Sequence, residues 1–155
     1  MNNLNNMIVN EIIERVNSAK AETKYKTPLV GFSDANNPYF RKLKTIISEE
    51  HYLPSDLLPN AKTVVTFFIP FDEEIVFKNL KCDTTAREWA YGKKDAQGLI
   101  GEIIEDMKVK LGEINIGCSG NPNKESYNQE KFMHRWSLSI WLIYVDLVFL
   151  VLINL

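Results

Sequence analysis

The feature that most constrains the fold lies at residues 61–71. Thr63, Val64, Val65, Thr66, Phe67, Phe68 and Ile69 follow one another without a break. β-Branched and aromatic side chains of this kind suit a pleated, packed surface. Successive side chains of a strand point to opposite faces, so this run puts apolar groups on both. That marks a central strand covered on both sides, and Pro70 ends it because it cannot donate to a ladder.

The flanking segments alternate helix and strand. Residues 4–20 read as an amphipathic helix, with Ile8, Ile12 and Val16 at i+4 spacing. Leu29, Val30, Gly31 and Phe32 follow Pro28 as a short apolar run that fits a buried strand. Residues 33–38 are rich in turn formers. Residues 39–47 fit a helix with Phe40, Leu43 and Ile47 on one face. Residues 51–59 fit a loop or short helical turns held by Pro54 and Pro59, with His51 as a surface or hydrogen-bonded residue. Residues 72–80 are a short helix or an irregular excursion.

A long helix follows. Thr84 or Thr85 can cap it, with Glu88 completing a capping box from Thr85. Leu99, Ile100, Ile103, Ile104, Met107 and Leu111 repeat at helical spacing, and Gly112 is a good stop. Gly92, Gly98 and Gly101 each weaken it by up to about 1 kcal/mol relative to Ala. Close packing or an interruption near Gly92 would account for glycine there. Residues 114–118 fit a second strand, and residues 125–136 are mixed and compatible with a helix. Alternating helices and short apolar strands define an α/β (α+β) domain.

Several functions are excluded or left without support. A net charge of −2 gives no basic excess for nucleic-acid binding. There is no G-x-G-x-x-G after a strand, no Walker motif, no G-x-S-x-G elbow and no H-E-x-x-H. The two cysteines, Cys82 and Cys118, are far apart and unpaired in sequence. A [4Fe–4S] cluster needs four thiolates, so this chain cannot hold one alone. His51 and His134 do not complete a zinc set. The start lacks a basic segment followed by an apolar run, so the chain reads as cytoplasmic.

Five phrases carry a resemblance. They are Thr27-Pro-Leu-Val-Gly-Phe-Ser-Asp-Ala-Asn-Asn-Pro, His51-Tyr-Leu-Pro-Ser-Asp-Leu-Leu-Pro-Asn-Ala-Lys-Thr-Val-Val, Thr66-Phe-Phe-Ile-Pro-Phe, Ala86-Arg-Glu-Trp-Ala-Tyr and His134-Arg-Trp-Ser. In this order they are similar to the short epoxyqueuosine-reductase-like iron–sulfur proteins of anaerobic bacteria. The resemblance implies an incomplete nitroreductase-like cofactor domain over residues 1–137, with a short central sheet flanked by helices. It also implies that intact relatives are oxidoreductases that pass electrons from 4Fe–4S clusters to a cobalamin. A corrinoid or other small-molecule cofactor is then the expected partner, with tRNA added only for a true queuosine enzyme.

The carry-over of sites is narrow. Arg87 and Glu88 match an Arg-Asp pair in the true reductases, and Ala90 stands where they have histidine. Arg87, Glu88 and His134 are therefore the candidate cofactor-binding residues, Arg87 toward a phosphate or carboxylate. Without the resemblance, Arg87 and Glu88 are the solvated first turn of a helix. The resemblance assigns no catalytic residue and no metal ligand within this chain.

Residues 138–155 change character, with Asp146 as the one charged residue. They are expected to form an apolar helix. At about 18 residues they approach the ~20 needed to span a bilayer. Asp146 mid-span would cost about 2.5–3.5 kcal/mol, which argues against a tail anchor. Read in a shifted frame, suitable codons for this stretch spell a phrase similar to the family's continuation. A frameshift near Ser137 would make the tail out-of-frame and the chain a truncated, inactive member of the family. A non-catalytic domain that binds a small molecule or a partner is the reading from a different class. An exposed apolar tail would favour association.

Overall fold

A computed structural model describes residues 3–20 and 23–112 in full, and the backbone of four strands at 116–118, 127–128, 133–134 and 148–153. The elements in chain order are α1 (Asn3–Asn17), β1 (Leu29–Asp34), α2 (Pro38–Ile46), α3 (Pro54–Leu57), β2 (Thr63–Phe68), α4 (Glu73–Leu80), α5 (Arg87–Leu111), β3 (Ile116–Cys118), β4 (Tyr127–Asn128), β5 (Met133–His134) and β6 (Val148–Ile153).

Four strands form one sheet in the order β1-β2-β6-β3, and every pairing is antiparallel. The domain is therefore mixed α and β without the parallel ladders of a doubly wound fold. β2 is interior, as its sequence requires. Leu29 to Asp34 pair with Phe68 to Thr63 on one edge, and Ile153 to Val148 pair on the other.

Both faces of β2 are covered. Val65 and Phe67 face the larger core, which contains Ile8, Ile12 and Val16 of α1. Ala96, Leu99, Ile100, Ile103, Ile104 and Met107 of α5 complete it. Val64, on the other face, packs with Ala35, Phe40, Leu43 and Ala61, under the α2–α3 segment. Outside the cores, Arg15 of α1 pairs with Glu102 and Asp106 of α5, and Lys110 of α5 pairs with Glu11 of α1.

Local chemistry explains the helix ends. Asn37 caps α2 by accepting the Tyr39 N–H at 3.0 Å, with Pro38 in the first turn, where its missing N–H costs nothing. Asp72 caps α4 by accepting the Glu74 N–H at 3.0 Å. Gly112 closes α5 at φ 86°, a conformation glycine reaches without Cβ strain, and its N–H donates to Lys108 O.

Several expectations are corrected. β1 is not buried: Leu29 is 62% exposed, because the strand lies at the sheet edge. For His51 the hydrogen-bonded alternative holds and the surface one does not: the residue is buried, with its Nδ1 2.9 Å from Tyr52 O. The capping box at Thr85 does not form. The cap of α5 is Ala86, with no side-chain bond, and its N–H donates instead to Asn79 Oδ1 at 2.9 Å. Residues 127–128 and 133–134 form a two-stranded antiparallel ladder where a helix was expected. The tail helix is overturned at 148–153, which is strand β6. Six consecutive apolar residues satisfy either structure, and the unpaired edge of β2 decides for the strand. The rest of the tail and the loop at 119–123 lie outside the described residues. No helix among the described residues is long and apolar enough to cross a membrane.

Candidate functional site at the amino end of the long helix

Arg87 and Glu88 sit where the sequence puts them, on the exposed first turn of α5. They point to different partners. The Arg87 guanidinium lies over the Tyr91 ring, 5.2 Å from its centroid, and makes no ion pair with a described residue. Glu88 turns toward α4 and meets Lys78 Nζ at 3.4 Å. His134 is placed only as a backbone position in β5, register-paired with Tyr127.

Glu88 borders a cleft of about 150 Å³ between α4, α5 and residues 23–24, lined by Thr23, Lys24, Asp72, Glu74, Ile75 and Lys78. Its charges are largely matched internally. Lys78 Nζ lies 3.1 Å from Glu74 one helical turn earlier, and also meets Glu88. Hydrogen bonding to Glu74, followed by the charges of Glu74 and Glu88, holds the Lys78 ammonium above its ordinary range. Glu88 is held below the usual carboxylate range, first by a bond from its own backbone N–H and then by Lys78. Asp72 is engaged as the α4 cap. A Glu88 carboxyl held low in this way suits binding a cation or a polar group better than acid catalysis.

Behind Thr23, hydrogen bonds and ring contacts tie residues 23–25 and Phe71 to α5. Thr23 Oγ1 donates to Asp95 Oδ2 at 2.6 Å, and the Tyr25 hydroxyl donates to Gly92 O at 2.8 Å. Phe71 stands between Tyr25 and Trp89, with ring centroids 5.8 and 4.8 Å away. A Cβ on Gly92 would lie 2.6 Å from Phe71 Cε1 and 3.0 Å from Thr23 Cγ2. Gly92 is thus the close-packing glycine that the sequence offered as one alternative, and α5 runs through it unbroken. Burial, with Asp95 nearby, pushes the Tyr25 phenol up to about 12, so it remains a hydrogen-bond donor.

A second concavity, of about 320 Å³, lies along the edge of the sheet and is lined by Leu29, Val30, Gly31, Phe32, Ser33, Thr66 and Phe68. Its described lining carries no ionisable side chain.

Neither cavity, as the described residues form it, encloses a whole corrinoid. Ligand pockets commonly span ~300–1,000 Å³, and a corrinoid needs more than a small drug does. Among the described residues, no three His, Cys, Asp or Glu side chains group as metal ligands. Cys82 is exposed, and Cys118 is a backbone position in β3.

Sequence reasoning missed Lys78, Glu74 and the Thr23–Asp95 and Tyr25–Gly92 ties. The Glu74/Lys78 spacing of four was a readable signal for an ion pair. The long-range ties had none. In comparisons with known proteins, no family model, no curated protein and no solved structure matches this chain.

Proposed function

We propose that this chain is the amino-terminal scaffold of an epoxyqueuosine-reductase-like redox protein, truncated near Ser137 and inactive by itself. One observation carries the reading. Four of the five phrases that resemble the family fall on adjoining elements: β1 and the α2 cap, buried His51 with α3 and β2, the end of β2 through Phe71, and the first turn of α5, while the fifth begins at His134 in the separate β4–β5 ladder.

On this reading the chain is cytoplasmic, and the intact relative takes electrons from 4Fe–4S clusters to a corrinoid-type cofactor. Arg87 would meet an anionic group of that cofactor, because its guanidinium is exposed, stacked on Tyr91 and without an ion pair among the described residues. Glu88 and Lys78 would orient a polar substituent at the cleft. Cluster chemistry belongs to cysteines that this chain does not contain, since two thiolates cannot replace four.

The nucleotide sequence around and beyond the Ser137 codon tests the truncation. The expected result is a second frame encoding glycine-rich and then cysteine-rich segments. A second frame without either would overturn it.

A second reading is favoured by the edge groove. The apolar lining around Leu29 and Phe68 suits a non-catalytic domain that holds a small apolar molecule or a partner. Saturable binding of an apolar fluorescent probe that Leu29→Glu weakens is the expected result of this second reading, and no binding would overturn it.

A further inference from the structure

The order of strands in the sheet has a consequence for assembly. β6 is the last strand of the described chain, yet it lies inside the sheet, between β2 and β3. It pairs with β2 over six register positions and with β3 over three. β2 and β3 do not pair with each other. Withdrawing β6 would therefore expose two strand edges at once, and unpaired backbone groups template further pairing.

Nothing in β6 opposes pairing with a strand from elsewhere. Val148, Phe149, Leu150, Val151, Leu152 and Ile153 include no charge and no proline. Those are the devices by which strands avoid intermolecular pairing. About 13 residues join β5 to β6, and a chain of that length reaches roughly 45 Å when extended. That is enough to carry β6 to a neighbouring molecule.

We propose that the slot between β2 and β3 also accepts β6 of a second copy of this chain, giving a strand-exchanged dimer. Each hydrogen bond that β6 makes within one chain has an equivalent between two. Exchange costs no sheet contact and only changes the path of the linker. The reading of function above is not needed for this proposal.

Register supplies the test, because Cys118 is the direct partner of Val151. A donor chain carries Cys82→Ser, Cys118→Ser and Val151→Cys. An acceptor chain carries Cys82→Ser and keeps Cys118. The two are refolded together and treated with a short thiol-bridging reagent. The expected product is a covalent donor–acceptor dimer, about tenfold above that given by a reference donor whose one cysteine is the exposed Cys82, because a seated strand has a high effective concentration. A single chain with Cys82→Ser and Val151→Cys should bridge internally at low concentration. Light scattering on the unmodified chain should show a dimer fraction that rises with concentration. Internal bridging without donor–acceptor product at any concentration would overturn the proposal. Absence of both products would overturn it too, because β6 would then not occupy the slot.

Discussion

The two faces of β2 are held in different ways. Val65 and Phe67 meet two long helices, α1 and α5, whose apolar positions recur for several turns. Val64 meets a nine-residue helix and a single helical turn that bring only Phe40, Leu43 and Pro54 fully inside. The first face has many partners that cannot all relax around a void. The second is a satellite cluster that can collapse locally. The same strand thus has a stiff side, which sets the fold, and a softer side, next to the groove at Leu29.

Truncation of side chains sharpens this contrast most. Phe67→Ala should cost about 3–5 kcal/mol, and Leu43→Ala nearer ~2 kcal/mol, at the low end for a buried leucine. Urea unfolding measures both. Equal losses would erase the distinction between the faces.

The glycines of α5 give the next largest effect, with opposite signs. Gly92→Val forces a side chain into Phe71 and Thr23 and should destabilise by roughly 1–3 kcal/mol. Gly98→Ala and Gly101→Ala meet nothing within 4 Å and should stabilise by about 0.5–1 kcal/mol each. Thermal unfolding of the three variants checks the signs.

Protonation tests the softer face. His51 is buried beside that cluster, and burial lowers its pKa from the ordinary 6.5. The unfolded chain then takes up the proton first as pH falls. Stability from neutral His51 is present above about pH 6.5 and declines below it, toward the lower folded-state pKa. His51→Gln should flatten the stability profile between pH 7 and 5. On the stiff side, Tyr25 has the opposite sign. Its contribution holds below pH ~10 and is lost as pH rises toward the folded value of about 12. Absorbance of tyrosinate against pH reads it directly.

The smallest effect belongs to the surface. Lys26 Nζ lies 2.6 Å from Glu73 Oε1, with both side chains largely exposed. Lys26→Ala should change stability by less than about 1 kcal/mol, and less still in high salt.

What the sequence made legible follows this division. The unbroken β-branched run announced β2 and its two covered faces, and the periodic apolar residues announced α1, α2 and α5. Those signals are local. The errors all depended on distant partners. Leu29 looks buried until it is known to lie on the sheet edge. The run at 148–153 has no period, and only the open edge of β2 makes it a strand. Thr85 has the right spacing for a capping box, but Glu88 turns to Lys78 and Asn79 takes the Ala86 donor. At the candidate site, Arg87 and Glu88 were legible through resemblance. Their neighbours Lys24, Thr23 and Glu74 come together only after α4 and α5 have packed.

The central claim is that this chain is a scaffold without a complete redox site, and a cofactor titration tests it most directly. Hydroxocobalamin, and in parallel a flavin, is added to the full 155-residue chain while the cofactor's visible spectrum is followed. The account predicts no saturable spectral change with either. A saturable 1:1 shift that Arg87→Ala weakens would contradict it, and would show that the first turn of α5 already holds a cofactor.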